Sequence, residues 1–114
     1  MPQTDAAWEV SVEDVKRMLD AGEDIVLLDV RQPEEYNLAR IEGAIFIPLG
    51  DLPAALPRLQ EQADGALMVT LCHRGARSLQ AAVFLRRSGI DAVKSMAGGI
   101  DAWSERIDPS VPRY

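Results

Sequence analysis

Hydrophobic residues fall along this chain in two alternating rhythms. Val12, Val15, Met18 and Leu19 recur at helical spacing behind Ser11, which suits an N-cap, with Asp14 as a partial capping-box acid and Gly22 as a stop. They predict a helix over roughly 11–21. The rhythm then changes. Ile25-Val26-Leu27-Leu28-Asp29-Val30 shows no alternation and is rich in branched residues, as in a strand covered on both faces. Ala66 to Leu71 repeats that pattern, Ile45-Phe46-Ile47 is a shorter version closed by Pro48, and Trp8–Val10 and Ala92–Ser95 are short extended candidates. Between these runs, Pro33-Glu34-Glu35-Tyr36 starts a short helix, with Pro33 suited to its first turn. Asp51 can cap a segment containing Pro53 and Pro57, so its regular part is expected only from about Pro57 to Ala63. Arg77 to Ser88 reads as a helix with Leu79, Ala82, Val83 and Leu85 inward and Gly89 at its end. Gly99 to Glu105 reads as a last helix, and Asp108 to Tyr114, with two prolines, as an extended closure. Strands alternating with helices at short connections predict an α/β fold. Its central sheet is mostly parallel, has about five strands and carries helices on both faces. Binding sites in open sheets of this kind lie beyond the carboxyl ends of the strands.

Composition narrows the picture. With 114 residues, 47% apolar and 26% charged, the chain has the balance of one folded domain over residues 1–114, and a monomer is expected. A sedimentation coefficient independent of concentration is the observation that checks this. The net charge of −6 argues against general nucleic-acid binding. No window approaches the roughly 18 apolar residues of a membrane span. Met1 to Val10 lacks a basic run followed by an apolar stretch, so no secretory signal is expected, and the chain reads as cytoplasmic and reduced. A single cysteine excludes an internal disulfide and a multi-cysteine zinc site, and a single histidine weakens metal binding further. No metal or cofactor is expected.

The chemistry concentrates in Cys72-His73-Arg74-Gly75-Ala76-Arg77-Ser78, which links a buried strand to a helix. Only a thiolate attacks, and a free thiol is mostly protonated at neutral pH. A helix N-terminus offers unpaired N–H groups and positive potential to an anion, Arg74 and Arg77 add fixed charge, and His73 can add more. Gly75 lets the backbone curl so that successive N–H groups face one centre. A lone cysteine after an apolar strand is commonly just a small buried hydrophobe. A core position is seldom followed at once by three potentially cationic residues and a glycine. On these grounds alone the loop suits a thiolate, a persulfide or a bound oxyanion equally.

Four stretches, in order, resemble the rhodanese family of sulfurtransferases across nearly the whole chain. They are Leu27-Leu28-Asp29-Val30-Arg31 with Pro33-Glu34-Glu35-Tyr36; Ile41-Glu42-Gly43-Ala44-Ile45 with Ile47-Pro48; the loop Cys72 to Ser78; and Ala97-Gly98-Gly99-Ile100-Asp101-Ala102-Trp103. The resemblance implies that Cys72 accepts sulfane sulfur from an anionic donor such as thiosulfate and passes it to cyanide or a thiol, on a small molecule or possibly on a protein. It implies further that backbone N–H groups of His73, Arg74, Gly75, Ala76 and Arg77 hold the outer sulfur, with Arg77 setting local charge and Asp29, Arg31 and Ser78 in support. The chain departs from the family's common pattern at Ala39-Arg40, where Gly-His is frequent, and at Glu42, where Pro is frequent. Neither departure touches the loop.

Two other readings compete. Phosphatases and arsenate reductases of the same fold use a loop one residue longer, whereas Cys72 through Arg77 spans six residues, the length associated with sulfur transfer. Rhodanese-like interaction modules typically lack the cysteine. Among the remaining residues, Asp29 is read either as a partner of Arg31 or Arg77 or as a plain turn residue, and Gly98 and Gly99 as permitting a close approach or merely starting a helix. His73 reads as a solvated loop residue, and Trp8 and Trp103 as packing anchors. Tyr36 and Tyr114 carry no readable signal.

Overall fold

In the computed structural model, which describes residues 6–114, five strands form one wholly parallel sheet. The expectation for Met1–Val10 therefore lies outside the described residues over its first five positions. The elements run β1 (Glu9–Val10), α1 (Val12–Asp20), β2 (Ile25–Asp29), α2 (Pro33–Leu38), β3 (Ile45–Phe46), a 3₁₀ turn (Leu49–Asp51), α3 (Leu52–Gln62), β4 (Leu67–Leu71), α4 (Ala76–Arg87), β5 (Val93–Met96) and α5 (Gly99–Arg106). The strand order is β1-β5-β4-β2-β3. Among the described residues no helix is long and apolar enough to cross a membrane, and no cluster of His, Cys, Asp or Glu is arranged to hold a metal.

Strand alternation divides the core in two. Leu27 on β2 and Val69 and Leu71 on β4 face one layer with Val12, Val15 and Met18 of α1 and Ile100 and Trp103 of α5. Leu28, Met68 and Cys72 face the other, with Leu52 and Leu59 of α3 and Ala81, Ala82 and Leu85 of α4. Each large side chain buried in this way contributes about 1.5–3 kcal/mol. Successive side chains of a strand point to opposite faces, so β2 and β4 supply both layers and must be apolar throughout. The same alternation puts Cys72 beneath α4.

Four expectations need correction. The helix containing two prolines is regular from Leu52, with Pro53 in its first turn and Pro57 inside it. Pro57 cannot bond the Pro53 carbonyl, but Leu52 and Leu59, at 1% and 0% exposure, pin both ends of the segment to the core. On α4 the inward face is Ser78, Ala81, Ala82 and Leu85, while Leu79 and Val83 lie half-buried on the flank beside Trp8 and Arg87. Leu19 is exposed, and Trp8 is a half-buried platform for Arg86, 4.0 Å from its ring centre, rather than a core anchor. Trp103 is buried as expected. At α1, Ser11 caps Asp14 N–H at 3.0 Å, but the Asp14 carboxylate turns to Arg17 and leaves the box half formed.

Candidate active site

Three neighbouring strands deliver the site. Residues leaving β2, β4 and β5 at their carboxyl ends are Val30 and Arg31, Cys72 and His73, and Ala97 and Gly98, respectively. The loop after β4 is held from below by the start of α5. Ile100 N–H donates to the Cys72 carbonyl at 2.9 Å and Asp101 N–H to the His73 carbonyl at 3.0 Å. This approach requires glycine. A Cβ on Gly99, whose φ is +61°, would stand 2.4 Å from the His73 carbonyl oxygen and 2.5 Å from that of Cys72. Gly98 and Gly99 thus do both things the sequence left open: they begin α5 and let its backbone meet the loop.

Cys72 is 1% exposed, and the Gly75 N–H donates to its Sγ at 3.1 Å. Gly75 makes this possible by adopting φ +116° as the N-cap of α4, a conformation that costs other residues far more. The first N–H groups of a helix have no intrahelical partner, so the start of α4 presents donors and positive potential to the loop. Ser78, fully buried one turn into α4, lies 3.4 Å from Sγ and shares a hydrogen bond with Ser95 at 2.7 Å. Thr70 donates to the Ser78 carbonyl at 2.7 Å. A polar floor of Thr70, Ser78 and Ser95 therefore underlies the sulfur. Ser95 had no distinguishing signal in the sequence; only the β4–β5 pairing brings it there.

The charged residues arrange themselves in two pairs. Asp29 pairs with Arg31, not with Arg77, at 2.6 Å, both side chains being wholly buried. Arg31 also donates to the Ala39 carbonyl at 2.6 Å and the Glu35 carbonyl at 3.3 Å, tying the end of α2 to the strand ends. Burial opposes its charge, yet the bonds to Asp29 and Tyr114 outweigh this and hold its pKa above the usual value. Arg77 forms a fork with Glu35 at 2.6 and 2.8 Å. The Glu35 carboxylate also accepts from Gln32 N–H at 3.1 Å and from the Tyr114 hydroxyl at 2.8 Å, so four donors fill its capacity. Its pKa falls to about 2, chiefly through Arg77, with burial opposing and Tyr114 and Gln32 assisting. Arg77 is correspondingly raised by Glu35, and Cys72 lies within its electrostatic reach.

Part of the expected basic character is therefore compensated. Arg77 is anchored by an acid, Arg74 is exposed with no ion pair among the described residues, and Ala76 is exposed at the first turn of α4. His73 is not a solvated loop residue: it is half-buried and stacked on Tyr114 with ring centres 4.0 Å apart, and its Nε2 is buried without a hydrogen-bond partner among the described residues. Like Ser95, Glu35 and Tyr114 belong to the site without any sequence signal that pointed to it. A groove of about 550 Å³ lined by Leu19, Leu38, Ile41, Trp103 and Val111 lies elsewhere, and no residue from Cys72 to Ser78 lines it.

A parallel sheet with a six-residue cysteine loop cradled at the carboxyl end of its central strand defines a rhodanese-like α/β domain. The chain belongs to that family: the rhodanese-like domain profile matches residues 11–106. It is 32% identical over 103 residues to a protein named sulfurtransferase from Allochromatium vinosum, covering 90% of this chain and 94% of that one. It is 36% identical to the adenylyltransferase and sulfurtransferase MOCS3-1 of Zea mays over 92% of this chain, but spans only 23% of the maize protein. Among solved structures it superposes on the human single-domain sulfurtransferase TSTD1 with a TM-score of 0.73 and 31% identity, covering 86% of this chain and 96% of the human one.

Proposed function

We propose that this protein is a sulfurtransferase that carries sulfane sulfur on Cys72. In the first half-reaction the Cys72 thiolate attacks the outer sulfur of an anionic donor such as thiosulfate. A bond forms between Sγ and that sulfur, the donor's sulfur–sulfur bond breaks, and sulfite leaves with the electron pair. In the second, a thiolate or cyanide attacks the outer sulfur of the persulfide and Cys72 departs as thiolate. Two half-reactions through a covalent intermediate predict ping-pong kinetics.

The observation that carries the reading is the Gly75 N–H directed at Sγ from 3.1 Å within a six-residue loop. A preorganised donor favours a sulfur anion over a neutral thiol. We assign Cys72 the nucleophile's role, the loop His73 to Arg77 the donor's seat, and Ser78, Asp29 and Arg31 its support. The names of the Allochromatium and human relatives favour the same reaction class. The maize relative is also named a sulfurtransferase; the acceptor on this chain is a small thiol or a thiol on a protein. The compact loop favours sulfur over a larger tetrahedral oxyanion. The domain acts as a monomer with no metal or cofactor.

The test is intact mass after incubation with thiosulfate, for wild type and Cys72→Ser. Wild type is expected to gain one sulfur that cyanide or a thiol removes, and Cys72→Ser none. A wild type that gains no sulfur from thiosulfate or any other sulfane donor overturns the reading and favours an interaction module.

A further inference from the structure

The segment after α5 is built to deliver one aromatic side chain to the loop. The Ser104 hydroxyl bonds the Val111 carbonyl, Val111 is buried, and Arg113 pairs with Asp101 at 3.1 Å. Asp101 is itself the residue whose N–H holds the His73 carbonyl. With its approach anchored in this way, Tyr114 lays its ring on His73, 4.0 Å between centres and 13° from parallel. Its hydroxyl sits between the two ion pairs, accepting from Arg31 Nη1 at 3.1 Å and donating to Glu35 Oε2 at 2.8 Å.

The result is a continuous hydrogen-bonded line, Asp29 to Arg31 to the Tyr114 hydroxyl to Glu35 to Arg77, running from the buried end of β2 to the first turn of α4. Only the Asp29–Arg31 end is wholly buried; Arg77, at the other end, is one-third exposed. A fork between two long side chains at a surface is ordinarily worth little and adopts more than one geometry. Here the phenol ties Glu35 to a wholly buried arginine.

We propose that Tyr114 is a positioning residue for the Cys72 site, fixing Glu35 and through it the Arg77 guanidinium that draws anionic reagents to the sulfur. The role rests on Cys72 being the reacting atom, and it adds a contribution from outside the residues matched by the family profile. The groups facing the Glu35 carboxylate are Gln32 N–H on its own element, Arg77 from α4 and the Tyr114 hydroxyl, so removing the phenol takes away one donor of four. Burial holds the Tyr114 phenol protonated, with its pKa pushed up to about 12, so the hydroxyl remains a donor throughout the neutral range.

The informative variant is Tyr114→Phe, which keeps the ring on His73 and deletes the bridge; Tyr114→Ala removes both. Two readouts are taken on the intact chain: the carboxyl carbon titration of Glu35 by NMR, and the ratio of iodoacetate to iodoacetamide alkylation rates at Cys72, the only cysteine. Iodoacetate is an anion and iodoacetamide is not, so the ratio reads the positive potential at the loop and cancels general changes in access. In Tyr114→Phe the Glu35 midpoint is expected to rise from about 2 toward ordinary carboxylate values, and the ratio to fall about 3- to 10-fold, as weakening one charge contact at a partly buried site implies. An unchanged ratio overturns the proposal, even if the Glu35 midpoint moves, because Tyr114 would then order Glu35 without reaching Cys72. A fallen ratio in a protein that takes up no sulfur leaves the positioning role standing and removes the sulfurtransferase reading.

Discussion

The two acid–arginine pairs of this domain use the same chemistry in opposite settings. Asp29 and Arg31 are two residues apart, wholly buried, and spend nearly every donor of the guanidinium on strand ends and on the close of α2. Glu35 and Arg77 are 42 residues apart, partly exposed, and stand beside the cysteine loop. A buried charge that loses its partner is stranded in a medium of low dielectric, whereas a partly exposed one is rescued by water. The first pair is therefore a structural joint; on the reading proposed above, the second tunes the site, and the Tyr114 hydroxyl is bonded to both.

The largest effect should come from breaking the joint. Arg31→Leu leaves Asp29 buried without its partner, and a loss of about 3–5 kcal/mol in unfolding free energy is expected by urea denaturation. A loss below about 1 kcal/mol would mean the pair is not the joint described. Next comes Arg77→Ala. Sulfur transfer from thiosulfate should slow about tenfold in kcat/KM, or about 1.4 kcal/mol, with stability changed by only about 1 kcal/mol because the pair is partly solvated. Unchanged kinetics would take Arg77 out of the site. The smallest effect is on pH dependence. Glu35 is lowered from 4.5 to about 2 in the folded chain, chiefly by Arg77. Its stabilisation is thus complete above the unfolded value and is lost as pH falls from about 4.5 toward 2. Denaturation at pH 5 and pH 2.5 should show a steeper loss in wild type than in Glu35→Gln, and equal losses would show that the fork contributes nothing to folding.

The sequence departures from the family pattern fall on the far side of this comparison. Arg40 lies over the Tyr36 ring at 5.0 Å and approaches Glu42 at 3.5 Å on the surface. Of Ala39 the site uses only the backbone carbonyl, which any residue supplies, in the bond from Arg31.

What the sequence determined by itself was local or periodic. Unbroken apolar runs identified β2 and β4, because a strand covered on both faces has no polar side to show. The close spacing of Cys72, Arg74, Gly75 and Arg77 marked the loop, because a strand-to-helix turn that holds an anion needs its glycine and its donors within a few residues. Asp29 and Arg31, two residues apart in sequence, were readable as a candidate pair. What only the tertiary structure decided was which distant groups share that space. Glu35 reads as an ordinary first-turn acid of α2, and Tyr114 as a polar-tipped residue after two prolines; neither has a period or a neighbour that points to Cys72. Their roles depend on the strand order, which sets the ends of β2, β4 and β5 side by side, and on the anchoring of residues 108–114 against α5. Hydrogen bonds act over about 3 Å, and no pattern along a chain encodes a distance of that size between residues 42 or 79 positions apart.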